Sequence, residues 1–186
     1  RDYDGAMKTT TLLFLLLASA ASTAAEPQHS YAGQQTRPIK ALDAEQVAGL
    51  LAGRGLGYAK AAELNRYPGP MHVLELAQPL ALTDAQLEST RAIRARVEAR
   101  ATALGAQLVA AESELDVLFQ SGAADTDNVA AALEAIGQLQ AQLRGVHLNA
   151  HIEQREVLTP EQVERYVQLR GYGGDGHGAR GHGHGH

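Results

Sequence analysis

Residues 82–120 read LTDAQLESTRAIRARVEARATALGAQLVAAESELDVLFQ, and their periodicity decides the fold. Leu87, Thr90, Arg94, Val97, Ala101, Leu104, Leu108, Ala111, Leu115 and Leu118 follow one another at alternating steps of three and four. That spacing predicts one helix over residues 83–120 with a seam along one face, and such a seam needs a partner helix. Val129, Ala132, Ile136, Leu139, Leu143, Val146 and Ala150 repeat the same steps after a turn at 121–127, so a return helix to about residue 157 is expected. The rise per residue makes the antiparallel hairpin roughly 50 Å long.

Two five-residue boxes flank this hairpin, Leu82-Thr83-Asp84-Ala85-Gln86 and Leu158-Thr159-Pro160-Glu161-Gln162. In each, a Thr stands where a helix should start and a Gln follows three residues later. At that spacing the two side chains cap each other's free backbone N–H groups. A third, weaker box, Asp43-Ala44-Glu45-Gln46, opens a helix toward Arg66. Gly49, Gly53, Gly55 and Gly57 each cost that helix about 1 kcal/mol relative to Ala, so it breaks near Gly55 or folds only against a neighbour. Tyr67-Pro68-Gly69-Pro70 stops it, and Pro70 suits the first turn of a short helix through Gln78. A last helix over 160–170 buries Val163, Tyr166 and Val167.

The paired boxes, with residues 62–70 (AELNRYPGP) and His147-Leu148-Asn149-Ala150-His151, make residues 42–172 resemble the LTxxQ group of small periplasmic helical proteins. That group includes the Spy/CpxP chaperones and adaptors, the zinc-binding ZraP-like proteins and the CnrX-like heavy-metal sensors. The resemblance implies an all-α fold, a long antiparallel hairpin with shorter flanking helices, and a cradle-like homodimer. It implies a periplasmic role in envelope stress or heavy-metal resistance, without hydrolytic or redox chemistry. The implied partners are unfolded or misfolded envelope proteins, held without ATP, or a membrane sensor kinase or anti-sigma factor. A structural helical dimer is the plainest alternative.

Composition bounds the chemistry. The chain has no Cys, which excludes disulfides and thiolate ligands, and with 16 basic against 21 acidic residues it has no basic footprint for nucleic acid. Aromatic content of 4% without Trp leaves a core of Leu, Val, Ile and Ala, suited to thin helical packing or a dimer. No Ser has a His and an acid at a recognisable spacing, and no glycine-rich phosphate loop follows a strand, so an enzyme is not expected.

Met7-Lys8, an apolar run over 12–17 and small residues to Ala25 have the form of a cleaved signal peptide over 7–25. Residues 1–6 precede that start and are extraneous to the fold, and 26–41, with Pro27, Gly33 and Pro38, read as a disordered leader. At the other end, 173–186 form a Gly/His-rich tail whose composition does not support a packed core.

Metal, if held, must be held by imidazole and carboxylate. His147 and His151 lie four apart on the return helix and project from one face, half of a divalent site, with His72 close enough for the fold to bring it near. Hydrogen-bonded packing is the competing reading of that pair. His177, His182, His184 and His186 in the tail would collect Zn, Ni, Co or Cu with little specificity; an engineered tag would be a continuous His run. The positions that ligate metal in CnrX-like sensors fall here on Val73, Ala77, Arg94, Ala150 and Gln154, none of which is a ligand. Arg91, Arg94, Val97 and Arg100, with Arg96 and Ile93, are a candidate client-binding face; ion pairs to Glu88 and Glu98 on a solvated face are the alternative.

Overall fold

The structure, a computed structural model, describes residues 31–172. Residues 1–6, the expected signal peptide over 7–25, the start of the expected leader and the expected Gly/His-rich tail over 173–186 lie outside the described residues. Six helices follow in order: α1 (Ala44–Leu51), α2 (Lys60–Glu63), α3 (Pro70–Glu75), α4 (Asp84–Gln120), α5 (Thr126–Val157) and α6 (Pro160–Leu169). Among the described residues the fold is all-α, and α4 and α5 pack along their length as the hairpin the heptads predict.

Capping fixes where these helices begin. Asp43, Thr83, Asp125 and Thr159 each accept from the backbone N–H three residues on, and the residue there returns a bond to the cap's own N–H. α5 starts at Thr126, inside the turn expected over 121–127, because Asp125 and Asn128 complete a box that the Thr-x-x-Gln pattern does not flag.

The region between residues 52 and 59 breaks as its glycines require. Gly53, Leu56 and Gly57 all have positive φ, so the chain leaves α1 and restarts as the single turn α2. Residues 34–41 run as turns with Ile39 buried, and Lys40 reaches Asp116 of α4 at 3.1 Å, so this end of the leader is tied down by one apolar and one charged group.

Two apolar clusters hold the helices. Leu50, Ala101, Leu104, Leu108, Ile136 and Leu143 form one, and Val73, Leu80, Leu158, Val163 and Tyr166 the other. The seam on α4 shifts between them: Thr90 and Ile93 are buried, whereas the Arg94 side chain is 40% exposed and pairs at 3.8 Å with Glu98 on its own helix. The cause is tertiary. α1 and α3 pack against α4 beside α5, so the buried arc is wider than a two-helix seam and turns toward Ile93.

The two boxes meet. Gln86 Nε2 donates to Gln162 Oε1 at 2.8 Å and Gln162 Nε2 donates to Gln86 Oε1 at 3.0 Å. Each amide also donates to a carbonyl at the other box, Gln86 to Val157 O at 2.9 Å and Gln162 to Leu80 O at 3.2 Å. Each Oε1 still caps its own helix, at 3.0 Å from Thr83 N and 2.9 Å from Thr159 N. Leu82 and Leu158 lie in the second apolar cluster beneath this clasp. The motif is therefore a reciprocal fastening of α4 to α6.

Candidate metal centre

A cavity of about 530 Å³ opens where α4 passes between the two clusters. Its walls come from the 52–59 break, from α2 and α3, from Arg94, Val97 and Glu98 of α4, from His147, Ala150 and His151 of α5, and from Tyr172. The fold thus brings His72, His147 and His151 to one cavity.

His147 is 7% exposed and its ring stacks on Tyr58, with centroids 6.2 Å apart and planes 8° from parallel. Its Nε2 is buried without a hydrogen-bond partner. Burial, then the charge of His151, holds its pKa below the ordinary 6.5, so the ring is kept in the neutral form that binds metal.

His151 is oriented by the backbone. Its Nδ1 lies 2.7 Å from Tyr67 O. A carbonyl only accepts, so a proton sits on Nδ1, and Nε2 is the ring nitrogen that a metal would take. Gly69 makes room for the ring: a Cβ there would stand 2.8 Å from His151 Cε1 and 3.0 Å from Nε2. Tyr67 is itself held under the Arg155 guanidinium, 4.6 Å from the ring centroid.

Glu63 lies beside His151. Its Oε2 lies 3.6 Å from His151 Nδ1 and is buried without a hydrogen bond, while Oε1 accepts from Tyr166 OH at 2.6 Å and has Arg170 Nε at 3.4 Å. Burial and the Glu63 carboxylate push the Tyr166 hydroxyl well above its ordinary pKa, which keeps it a donor. Sequence reasoning gives Glu63, Tyr166 and Arg170 no part in a site. Glu63 stood only within the segment 62–70, and no local pattern pairs it with a residue 103 positions away.

His72 is at the rim, with Nδ1 2.9 Å from Glu75 Oε2 on α3. Leu56, Leu64 and Met71, 45%, 53% and 43% exposed, complete an apolar margin. Arg94 and Val97 face the cavity, Arg96 pairs with Glu153 of α5, and Arg91 and Arg100 are exposed. His177, His182, His184 and His186 lie outside the described residues.

The donors fit a borderline divalent ion in kind, imidazole nitrogen and carboxylate oxygen with two buried atoms lacking partners. They do not yet make a full set: among the described residues no three His, Asp or Glu side chains are grouped closely enough to hold an ion.

Residues 46–165 match the family described as heavy-metal resistance. The chain belongs to the heavy-metal resistance family. No curated protein and no solved structure matches the chain. The matched span in this heavy-metal resistance protein runs from α1 to α6 and includes both Leu-Thr-x-x-Gln boxes, Glu63, His72, His147 and His151, whereas the tail histidines fall beyond it.

Proposed function

We propose that the protein serves heavy-metal resistance as an exported, non-catalytic binding protein of the periplasm. It takes up a divalent ion, Zn, Ni, Co or Cu, at His147 and His151 with Glu63 beside them. The observation that carries this reading is the cavity itself. It joins an unpartnered, buried, neutral imidazole to a second imidazole with Nε2 free and to a carboxylate oxygen with no hydrogen bond. Most buried polar atoms of a folded chain have a partner, and these two, His147 Nε2 and Glu63 Oε2, are open to a ligand. Binding favours the folded state, so occupancy is a stability signal that a membrane sensor kinase or anti-sigma factor can read.

Calorimetry of the full chain with Zn(II) and Ni(II), alongside His147→Ala and His151→Ala, tests this. Wild type should bind and melt higher with metal, and both substitutions should remove the rise. A wild type whose melting temperature ignores both ions sinks the reading.

A second role is favoured by the exposed apolar groups. Leu56, Leu64 and Met71 at the cavity and Val117 and Phe119 near the hairpin tip, 55% and 62% exposed, offer a homodimer with surface for non-native clients held without nucleotide. Suppression of client aggregation at near-equal ratio would support it, and none at several-fold excess would remove it.

A further inference from the structure

The cavity holds one more donor, and it is a soft one. Met71 lines the same cavity as His147 and His151 and is 43% exposed. It stands in the first turn of α3, two residues past Gly69, and Gly69 is the residue against which the His151 ring rests: a Cβ there would lie 3.0 Å from His151 Nε2. The nitrogen left for a metal and the methionine thus meet at the start of α3. Neighbouring side chains there are committed elsewhere, since Pro70 and Val73 are buried and His72 Nδ1 lies 2.9 Å from Glu75 Oε2. The thioether has no such partner to keep, and its unbranched stem can turn the sulfur into the cavity.

Glu63 is placed differently. Its contact with His151 is at Nδ1, the nitrogen that already faces Tyr67 O, and its other oxygen is held by Tyr166. A carboxylate on that edge steadies the ring as an outer partner of a ligating His does. The inner donors are then two imidazoles and a thioether.

That set is soft and short. A structural zinc site closes a tetrahedron of ligands, whereas thioethers favour Cu(I), a d10 ion that is stable at low coordination. The lack of a three-membered His, Asp or Glu group among the described residues counts against a hard or borderline ion and leaves a low-coordinate soft one suited.

We infer that the centre is a site for Cu(I), with the Met71 thioether joining His147 and His151 on the ion. This rests on the cavity taking metal at those two histidines, as proposed above, and names the ion it prefers.

The test sets Cu(I), drawn from bicinchoninate without oxygen, against Ni(II), followed by calorimetry, on the full chain. Wild type is compared with Met71→Leu, which nearly keeps the volume and removes the sulfur, and with His147→Gln/His151→Gln. Wild type should take Cu(I) from the chelator. Met71→Leu should melt like wild type without metal, bind Cu(I) roughly tenfold or more weakly, and bind Ni(II) as before. X-ray absorption at the copper edge adds a measurement apart from affinity. The chain has no Cys and two Met, so a Cu–S shell that is present in wild type and absent in Met71→Leu belongs to Met71. If Met71→Leu keeps the Cu(I) affinity and the spectrum, or weakens Cu(I) and Ni(II) alike, the inference falls and the cavity reading stands. The same follows if wild type binds Ni(II) yet leaves Cu(I) with the chelator. If His147→Gln/His151→Gln holds both ions as tightly as wild type, the cavity reading falls and the inference with it.

Discussion

Gly105 of α4 and the Leu50 carbonyl of α1 approach so closely that a Cβ on Gly105 would stand 2.1 Å from Leu50 O. A bare helix interior gains about 1 kcal/mol when Gly becomes Ala. Here the obstacle is backbone, which cannot rotate away, and overpacking costs about 1–3 kcal/mol. Gly105→Ala should therefore lower the melting temperature and loosen α1, seen as faster amide exchange at Leu50 and its neighbours. A variant that melts higher would show that α1 does not dock there.

The glutamine clasp gives a second expectation. Gln86→Ala removes partners from Gln162 and Val157 O, where a polar group left buried and unpaired costs about 1–3 kcal/mol, and uncaps the exposed Thr83 N as well. Because Gln162 loses the same partner from its side, the two single substitutions should be far from additive, with a coupling of about 0.5–3 kcal/mol in denaturant unfolding. Additive losses would mean that each Gln only caps its own helix.

His147 sets a pH dependence with a definite sign. Its folded pKa is depressed below 6.5. Above that value both states are neutral and stability is full. Below it the unfolded chain takes up a proton that the buried ring refuses, so stability falls as pH drops from about 6.5 toward the folded value. Metal-free melting scanned from about pH 7 to pH 5 should decline more steeply for wild type than for His147→Gln. Parallel curves would place the ring in water.

Glu112 acts in the opposite sense. It is 9% exposed on α4, and burial raises its carboxyl above the ordinary 4.5. Folding is then weakened by the charged form, with the loss appearing as pH rises through the raised value. Glu112→Gln should melt higher at neutral pH, by about 2–4 °C for each kcal/mol recovered, and the gain should vanish in acid. A lower melting temperature at neutral pH would reveal a cation paired with the carboxylate.

These sites differ in how far sequence alone disclosed them. Thr83 with Gln86, and Thr159 with Gln162, were readable because capping needs only a three-residue spacing. The hairpin was readable because its period persists over two long segments. That the two glutamines bond each other was not readable, since the boxes are 76 residues apart. Ile93 took the buried place expected of Arg94 because α1 and α3 widen the covered arc, which no period in α4 encodes. The His147–His151 spacing announced a shared face, but Glu63 came to it only through the break at Gly53–Gly57 and the turn at Pro68–Pro70, whose geometry is set by tertiary packing.

The clasp also has a bearing on kinetics. Its two amides meet across 76 residues, a separation that the α4–α5 hairpin must first collapse before either can find the other. The expectation is that the bond pair forms after the rate-limiting step of folding and breaks early in unfolding. Losing either glutamine should shorten the native state's lifetime while leaving the refolding rate nearly unchanged, the two arms of a chevron responding unequally. In a heavy-metal resistance protein built this way, the Leu-Thr-x-x-Gln pair is a latch on the lifetime of the fold.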